Sequence, residues 1–318
     1  MPRRPGVVSP AQRNPLPLPA VHLATEFSPT TVAAQLRSGR WTRVRPGAFV
    51  ETTALAGLDP HDRERAFALA RVVAAHRTLR VPHVVSHVSA AVLHGLPLLG
   101  MPPVTHLTQE SRRSGDASAD LVRHRTVLDD GHVTTHRGLR VTTLERTVVD
   151  CAELLPVRAG LVVADAALHQ GADPEVIAAF LADRGGRRGV RRARTVMKYA
   201  DGGAESAGET LTRYVVLRAG LPLPTTQLEV RTRTGTYWTD LGWEEERVAL
   251  EYDGEGKYLG AAGAHELRRE KTRHDSLTEV GYWVGRVVGR DVRSPGDLIP
   301  RVARALGVDP PRVRAELA

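Results

Sequence analysis

The chain has 318 residues, enough for about two domains, and 42% of them are apolar and 25% charged, which is typical of a globular protein. Cys151 is the single cysteine, so an intramolecular disulfide is excluded and a cysteine-based zinc site is disfavoured. The 44 Lys and Arg residues outnumber the 36 Asp and Glu residues, giving a net charge of +8 that favours a polyanionic partner such as nucleic acid.

The N-terminal residues 1–19 are basic and rich in proline. They lack the apolar region of a secretion signal, and no segment of the chain reaches the ~18 consecutive apolar residues of a membrane helix. We therefore expect a flexible basic arm on a cytoplasmic protein that has no membrane contact.

Residues 20–55 predict a short helix followed by a basic hairpin. Ser28 or Thr30 can cap the helix, which ends at Ser38-Gly39, and Pro46-Gly47 supplies a turn between two extended runs. This order is typical of a winged-helix-like module, although an ordinary surface helix and hairpin have the same pattern. The candidate nucleic-acid contacts in this module are Arg37, Arg40, Arg43 and Arg45.

Residues 56–183 predict a mixed α/β region. Three histidines in its first half, His83, His87 and His94, have no acid or cysteine beside them, so we expect packing or capping roles rather than a metal site. The predicted helices are 61–76, 86–94, 144–154, 158–169 and 174–182, and the predicted strands are 104–108, 121–125 and 139–142.

Residues 184–202 predict a basic linker helix. Its segment 184–198 contains seven basic residues and no acid. Such a run is either a solvated face or a phosphate-binding surface, because the planar guanidinium of arginine matches phosphate. The candidate nucleic-acid contacts here are Arg187, Arg188, Arg191, Arg192 and Arg194.

Residues 203–318 predict the element order α, β, β, β, α, β, α. The segments are 205–220, 225–232, 237–243, 247–254, 263–281, 282–289 and 294–307. Together with the preceding regions, this order predicts a mixed α/β fold.

Carboxylates converge on two of these strands. If 244–246 is a hairpin turn, residues whose numbers sum to about 490 face each other, so Asp240 lies opposite Glu251. Asp253 shares the face of Glu251, and Glu209 on the preceding helix can add a fourth acid. Carboxylates this close need a compensating cation or proton, and an all-oxygen site suits Mg²⁺, or Mn²⁺ in its place. Asp240, Glu251 and Asp253 are thus the candidate ligands of this metal.

Structural roles can also account for these acids. Ser206 and Glu209 have the spacing of a capping box, and Asp253-Gly254 is a common turn pair. A solvated outer face of the sheet would accommodate Asp240 and Glu251.

The C-terminal motifs resemble a known domain. They are G-E-x-L-x-R (208–213), G-L-P-x-P-x-x-Q (220–227), T-D-L-x-W (239–243), L-E-Y-D-G (250–254) and R-E-K-x-R-x-D-x-L-x-x-x-G-Y (269–282). Together they are similar to the endonuclease-like domain related to very-short-patch-repair enzymes, in the PD-(D/E)XK nuclease superfamily.

The N-terminal motifs resemble a second family. They are G-R-W-x-R-V-R-x-G-x-F-V (39–50), S-H-x-S-A-A-x-L-H-G-L-P (86–97) and V-T-T-L-E-R-T-V-V-D (141–150). They are similar to actinobacterial proteins with an antitoxin-like winged helix of the AbiEi kind, from type IV toxin–antitoxin systems.

The resemblance implies a restriction-endonuclease-like core in which Asp240 and Glu251 bind the metal and Glu209 is an accessory acid. Active members of the superfamily usually carry Lys, Gln or Glu two residues after the second acid, and this chain has Asp253 there. Lys257, just past the strand, or Lys271, on the following helix, could supply the cation from another element; without it, the domain would cleave nothing.

Two functions follow from these expectations. One is a Mg²⁺-dependent endonuclease that hydrolyses phosphodiester bonds, and the other is an antitoxin-like DNA-binding regulator, with a possible cognate toxin, whose nuclease-like domain is inactive. The sequence leaves DNA or RNA, strandedness and oligomeric state open.

Overall fold

A computed structural model describes residues 16–110, 118–254, 263–309 and 312–317. The chain divides into an N-terminal unit, which holds 16–154 and 172–190, and a C-terminal unit, which holds 155–171 and the described residues from 191 onward. Within the described residues the helices are α1 (Pro29–Arg37), α2 (Pro60–Thr78), α3 (His87–His94), α4 (Leu144–Leu154), α5 (Val157–His169), α6 (Pro174–Ala182), α7 (Val190–Tyr199), α8 (Ala207–Arg218), α9 (Gly263–Glu279), α10 (Gly289–Arg293) and α11 (Leu298–Ala305). The strands are β1 (His22–Leu23), β2 (Trp41–Arg45), β3 (Ala48–Glu51), β4 (Val84–Val85), β5 (Thr105–Gln109), β6 (Leu121–Arg125), β7 (Val133–His136), β8 (Leu139–Thr142), β9 (Thr225–Thr232), β10 (Gly235–Trp243), β11 (Val248–Asp253) and β12 (Trp283–Val288).

The N-terminal unit begins with a three-stranded sheet in the order β1-β3-β2. Ser28 Oγ accepts a hydrogen bond from the Thr31 amide (3.1 Å) and Pro29 takes the first helical position, so α1 begins at one of the two predicted caps. In the described stretch 16–55, α1 is the single α-helix, and α2 completes the hydrophobic core beneath the sheet. That core consists of Val21, Val44, Ala48, Val50, Leu55, Ala66, Ala70 and Ala74.

A five-stranded sheet in the order β6-β5-β4-β8-β7 forms the rest of this unit. Strand β4 has only two residues, yet it pairs antiparallel with β5 and parallel with β8. Helix α3 begins directly after β4 and contacts α4, which in turn packs against α6. The buried Val85, Leu107 and Val141 lie on neighbouring strands of this sheet.

The C-terminal unit contains a four-stranded sheet in the order β12-β11-β10-β9. The three strands β9, β10 and β11 are antiparallel, whereas β12 returns parallel to β11 after α9. Helix α8 packs on β10 and β11 and also on α5. The predicted order of elements is therefore present, with one additional helix. This helix, α10, lies between β12 and the last helix, which begins at Leu298 rather than at the predicted residue 294.

The mixed α/β fold is confirmed. The winged-helix-like module 20–55, the antitoxin-like region 56–183, the basic linker 184–202 and the endonuclease-like domain 203–318 stay predictions as domains. Most of the predicted arm, residues 1–15, lies outside the described residues. Among the residues that the structure describes, no helix is both long and apolar enough to span a bilayer.

Candidate carboxylate site

The hairpin of β10 and β11 brings Asp240 and Glu251 to adjoining strands. Leu241 pairs with Leu250, and each pair in this ladder has residue numbers that sum to 491, within one of the predicted sum. Asp240 and Glu251 come next in the same register, just beyond the last paired residues. The Asp240 carboxylate accepts a hydrogen bond from the Tyr252 amide (2.7 Å), which fixes its orientation towards β11.

On its other side, Asp240 faces an interruption in the pairing with β9. Thr239 pairs with Leu228 and Leu241 with Thr226, so Asp240 and Gln227 fall in the gap between these pairs. Gln227 has a φ of +48°, a left-handed conformation that is uncommon for a residue other than glycine. Backbone strain of this kind is often found at functional sites.

Glu209 is buried at the start of α8. Ser206 caps the helix by accepting from the Glu209 amide (3.2 Å), which confirms the predicted capping role of this serine. The Glu209 carboxylate accepts from Ser206 Oγ (2.9 Å) and the Glu205 amide (2.8 Å), and Gln227 Nε2 lies 3.4 Å from it. Burial and then the nearby negative charge of Asp240 raise the pKa of Glu209 to about 8. Two of the predicted acids therefore influence each other.

Glu251 already has a cationic neighbour. Arg273 Nη2, on α9, lies 2.7 Å from Glu251 Oε1, within ion-pair distance although not aligned as a hydrogen bond. Asp253 ends β11, where it pairs with Val288 of β12. Lys271 is exposed on α9.

Lys257, the other lysine considered for the catalytic cation, lies outside the described residues.

The donor set fits a hard divalent cation in its chemistry. Asp240 and Glu251 offer carboxylate oxygens, and Mg²⁺ in proteins is usually bound by one or two carboxylates together with water. Within the described ranges, no group of three or more His, Cys, Asp or Glu side chains is arranged to hold a metal ion. Asp240 and Glu251 stay the predicted ligands of Mg²⁺.

The predicted arginine contacts divide into exposed and internally bound side chains. Arg45 is bound internally, because its Nε lies 2.8 Å from Asp120 Oδ2, its Nη1 donates to Thr78, and 8% of its side chain is exposed. Arg192 is half-buried and donates to the Leu155 carbonyl (3.0 Å). The exposed ones are Arg37, Arg40, Arg43, Arg187, Arg188, Arg191 and Arg194. Of these seven, Arg187 also donates to Thr126 Oγ1 (3.4 Å), and all seven stay predicted contacts for an anionic partner.

The sequence did not predict a buried histidine cluster in the N-terminal unit. The rings of His87 and His124 stack with centroids 3.4 Å apart, and His124 Nε2 lies 2.9 Å from His106 Nδ1. Asp150, fully buried, forms an ion pair with Arg146 (2.9 Å) and lies 3.7 Å from His87 Nδ1. His83 and His94 lie outside this cluster. His83 contacts His76, and His94 contacts the Thr142 carbonyl, which agrees with the packing roles predicted for them. The three rings come from α3, β5 and β6, so no spacing along the chain signals the cluster.

Two residues beside the carboxylates were also missed as functional candidates. Gln227 ends one of the motifs quoted above, but nothing in a strand sequence signals a left-handed residue. Arg273 is one of several basic residues on α9, and only the fold distinguishes it by directing its guanidinium to Glu251.

Comparisons with known proteins give relatives but no activity. No protein-family model matches the chain. Over 173 residues it is 39% identical to two Mycobacterium tuberculosis proteins, "Uncharacterized protein MT2308" of strain CDC 1551 / Oshkosh and "Uncharacterized protein Rv2248" of strain ATCC 25618 / H37Rv. The match covers 53% of this chain and 62% of each relative, so the chain spans less than two thirds of their length. The crystal structure of the RV2827C protein from Mycobacterium tuberculosis is similar over 72% of this chain and 90% of that chain, with 17% identity and a TM-score of 0.35.

Proposed function

We propose that this protein binds nucleic acid, DNA in the first instance, and that its C-terminal unit is a Mg²⁺-dependent endonuclease of the PD-(D/E)XK type. The observation that carries the proposal is the β10–β11 register, which brings Asp240 and Glu251 to adjoining strands beside Glu209. The single cysteine, Cys151, is free and buried, which is compatible with a reducing cytoplasm.

The chain's own residues have distinct roles in this proposal. Asp240 is oriented by the Tyr252 amide, and Glu251 lies on the neighbouring strand. When bound by these two carboxylates, Mg²⁺ supplies positive charge that stabilises the leaving oxygen of a phosphodiester. Before a metal binds, burial and the charge of Asp240 raise the pKa of Glu209, which favours its protonated form and reduces the repulsion between the two carboxyl groups. The exposed arginines bind backbone phosphates.

The test is cleavage of supercoiled plasmid and of labelled single strands in the presence of Mg²⁺, Mn²⁺ or EDTA. We expect metal-dependent cleavage by the natural protein, none by Glu251→Ala, and full activity of Glu245→Ala, which removes an exposed acid in the adjoining turn. Cleavage that persists in Glu251→Ala would reject the assignment of the site.

A second candidate function is an antitoxin-like DNA-binding regulator with an inactive nuclease-like unit, with or without a cognate toxin. Two observations favour it. Asp253 stands where the superfamily usually has its lysine, and Glu251 already forms an ion pair with Arg273. Salt-sensitive DNA binding without cleavage under any metal condition would select this function.

A further inference from the structure

Arg273 connects α9 to both strands of the candidate site. Its Nη2 lies 2.7 Å from Glu251 Oε1 on β11 and also donates a hydrogen bond to the Trp238 carbonyl on β10. About a third of the Arg273 side chain and a fifth of the Glu251 side chain remain exposed, at 33% and 21%. The guanidinium is thus held beside the carboxylate by a hydrogen bond to β10 and an ion-pair contact with β11.

This position gives Glu251 a cation before any metal binds. A divalent ion that uses Glu251 has to share or displace the positive charge of Arg273, because like charges this close repel. The arginine is also incompletely satisfied, since its Nε is buried without a hydrogen-bond acceptor. Its present arrangement therefore neutralises Glu251 without using all the donors of the guanidinium.

We propose that Arg273 is a built-in competitor of the divalent cation at Glu251 and lowers the metal affinity of the site. This inference rests on the metal site of the proposed function, but it holds whether or not the protein cleaves nucleic acid. It gives α9 a regulatory role, because any movement of Arg273 away from Glu251 strengthens metal binding. If Arg273 instead held Glu251 in place for the metal, its removal would weaken metal binding.

The experiment is titration of the full-length protein with Mn²⁺, with free Mn²⁺ measured by electron paramagnetic resonance. Arg273→Gln removes the charge and Arg273→Lys retains it. We expect Arg273→Gln to bind Mn²⁺ about tenfold more tightly than the natural protein, and Arg273→Lys to stay within about threefold of it. The matched control is Arg231→Gln on β9, which removes a charge from an 86% exposed side chain, and we expect its affinity to change less than twofold.

Unchanged or weaker Mn²⁺ binding by a folded Arg273→Gln protein would overturn the proposal, as would the absence of Mn²⁺ binding in all variants. Circular dichroism establishes folding, and Arg273→Met, which keeps much of the aliphatic stem, makes the same comparison if the Gln variant unfolds. Tighter binding by Arg273→Gln in a protein that cleaves nothing supports this proposal and rejects the nuclease. Cleavage by the natural protein, together with an Mn²⁺ affinity that Arg273→Gln leaves unchanged, supports the nuclease and rejects this proposal.

Discussion

At the scale of single residues, the C-terminal unit depends on a buried ion pair between α5 and α8. Arg213 Nη2 lies 2.6 Å from Asp165 Oδ2, and both side chains are almost fully buried. Asp165 also accepts a hydrogen bond from the Asp201 amide (2.8 Å), and Arg213 donates to the Tyr199 carbonyl (2.5 Å). These contacts tie three segments of the unit together at one carboxylate.

Removing one charge of this pair should destabilise the unit strongly. Asp165→Asn keeps the size of the side chain but leaves the Arg213 charge buried without a counter-charge, at a cost of about 3–5 kcal/mol. The exposed pair of Arg231 and Glu229 provides the control, since Arg231→Gln should change stability by less than about 1 kcal/mol. Urea unfolding of both variants measures the difference, and an Asp165→Asn protein as stable as the control would contradict the assignment.

At the scale of elements, α8 approaches β11 closely because Gly208 has no side chain. A Cβ atom at Gly208 would lie 2.0 Å from the ring of Tyr252, so the ring would have to move. The amide of Tyr252 is also the donor that orients Asp240. This glycine therefore sets how near the helix that carries Glu209 comes to the carboxylates.

The variant Gly208→Ala sets two effects against each other. Alanine favours the helix by about 1 kcal/mol, whereas overpacking against a half-buried ring costs about 1–3 kcal/mol. We expect the clash to dominate, with a lower midpoint of thermal unfolding, and the double variant Gly208→Ala/Tyr252→Leu to recover stability. A higher midpoint of thermal unfolding for Gly208→Ala alone would contradict this expectation, because it would mean that the Tyr252 ring moves aside without loss of stability.

The elements of the fold could be predicted largely because their signals are local. Strand β9, strand β6 and helix α4 have the predicted bounds, since apolar periodicity and neighbouring turn residues mark both ends. The predicted register of β10 and β11 was also close. The turn between them holds four residues, 244–247, rather than the predicted three, which moves the sum of paired residue numbers from 490 to 491.

Contacts between distant segments could not be predicted in the same way. Arg273 reaches Glu251 from 22 positions along the chain, and Asp165 and Arg213 are 48 apart. Strand β4 was missed because two valines carry no alternation, and only its pairing with β5 and β8 makes it a strand.

At the scale of the whole molecule, we expect the cluster of His87, His106 and His124 to make the N-terminal unit sensitive to pH. Burial lowers the pKa of His87 to about 3, and that of His106 to about 4. Burial, followed by the positive charges of the neighbouring rings, lowers the pKa of His124 to about 3. The other charged groups of the cluster are Arg146, Asp150 and Arg184.

At these three histidines the unfolded chain therefore binds more protons than the folded unit once the pH falls below about 6.5, whereas burial raises the pKa of Asp150 and opposes this effect. We expect the stability of the N-terminal unit to be complete above that pH and to fall as the pH decreases from 6.5 towards 4. Hydrogen-exchange protection of α3 and α4 at pH 7.5 and 5.5 measures it. His124→Gln should reduce the pH dependence, and the exposed His61→Gln should leave it unchanged. Equal protection at both pH values would contradict neutral, buried histidines.

The excess of arginine leads to a prediction about salt. If exposed guanidinium groups bind backbone phosphates, the logarithm of duplex DNA affinity falls with the logarithm of salt concentration by about 0.9 for each phosphate contact. We expect Arg191→Gln and Arg194→Gln each to reduce this slope. Arg45→Gln should leave the slope unchanged and lower stability instead, because Asp120 holds this side chain. Fluorescence anisotropy between 50 and 200 mM KCl distinguishes the two classes, and a flat response would remove nucleic acid as the partner.

Anomalous diffraction tests most directly whether Asp240 and Glu251 bind one divalent cation, as we propose. Crystals of the full-length protein grown with Mn²⁺ should show an anomalous peak in contact with one carboxylate oxygen of Asp240 and one of Glu251. Asp240→Asn crystals grown in the same way should lose the peak. An ordered site without a peak at saturating Mn²⁺, or a peak bound by other residues alone, would contradict the account.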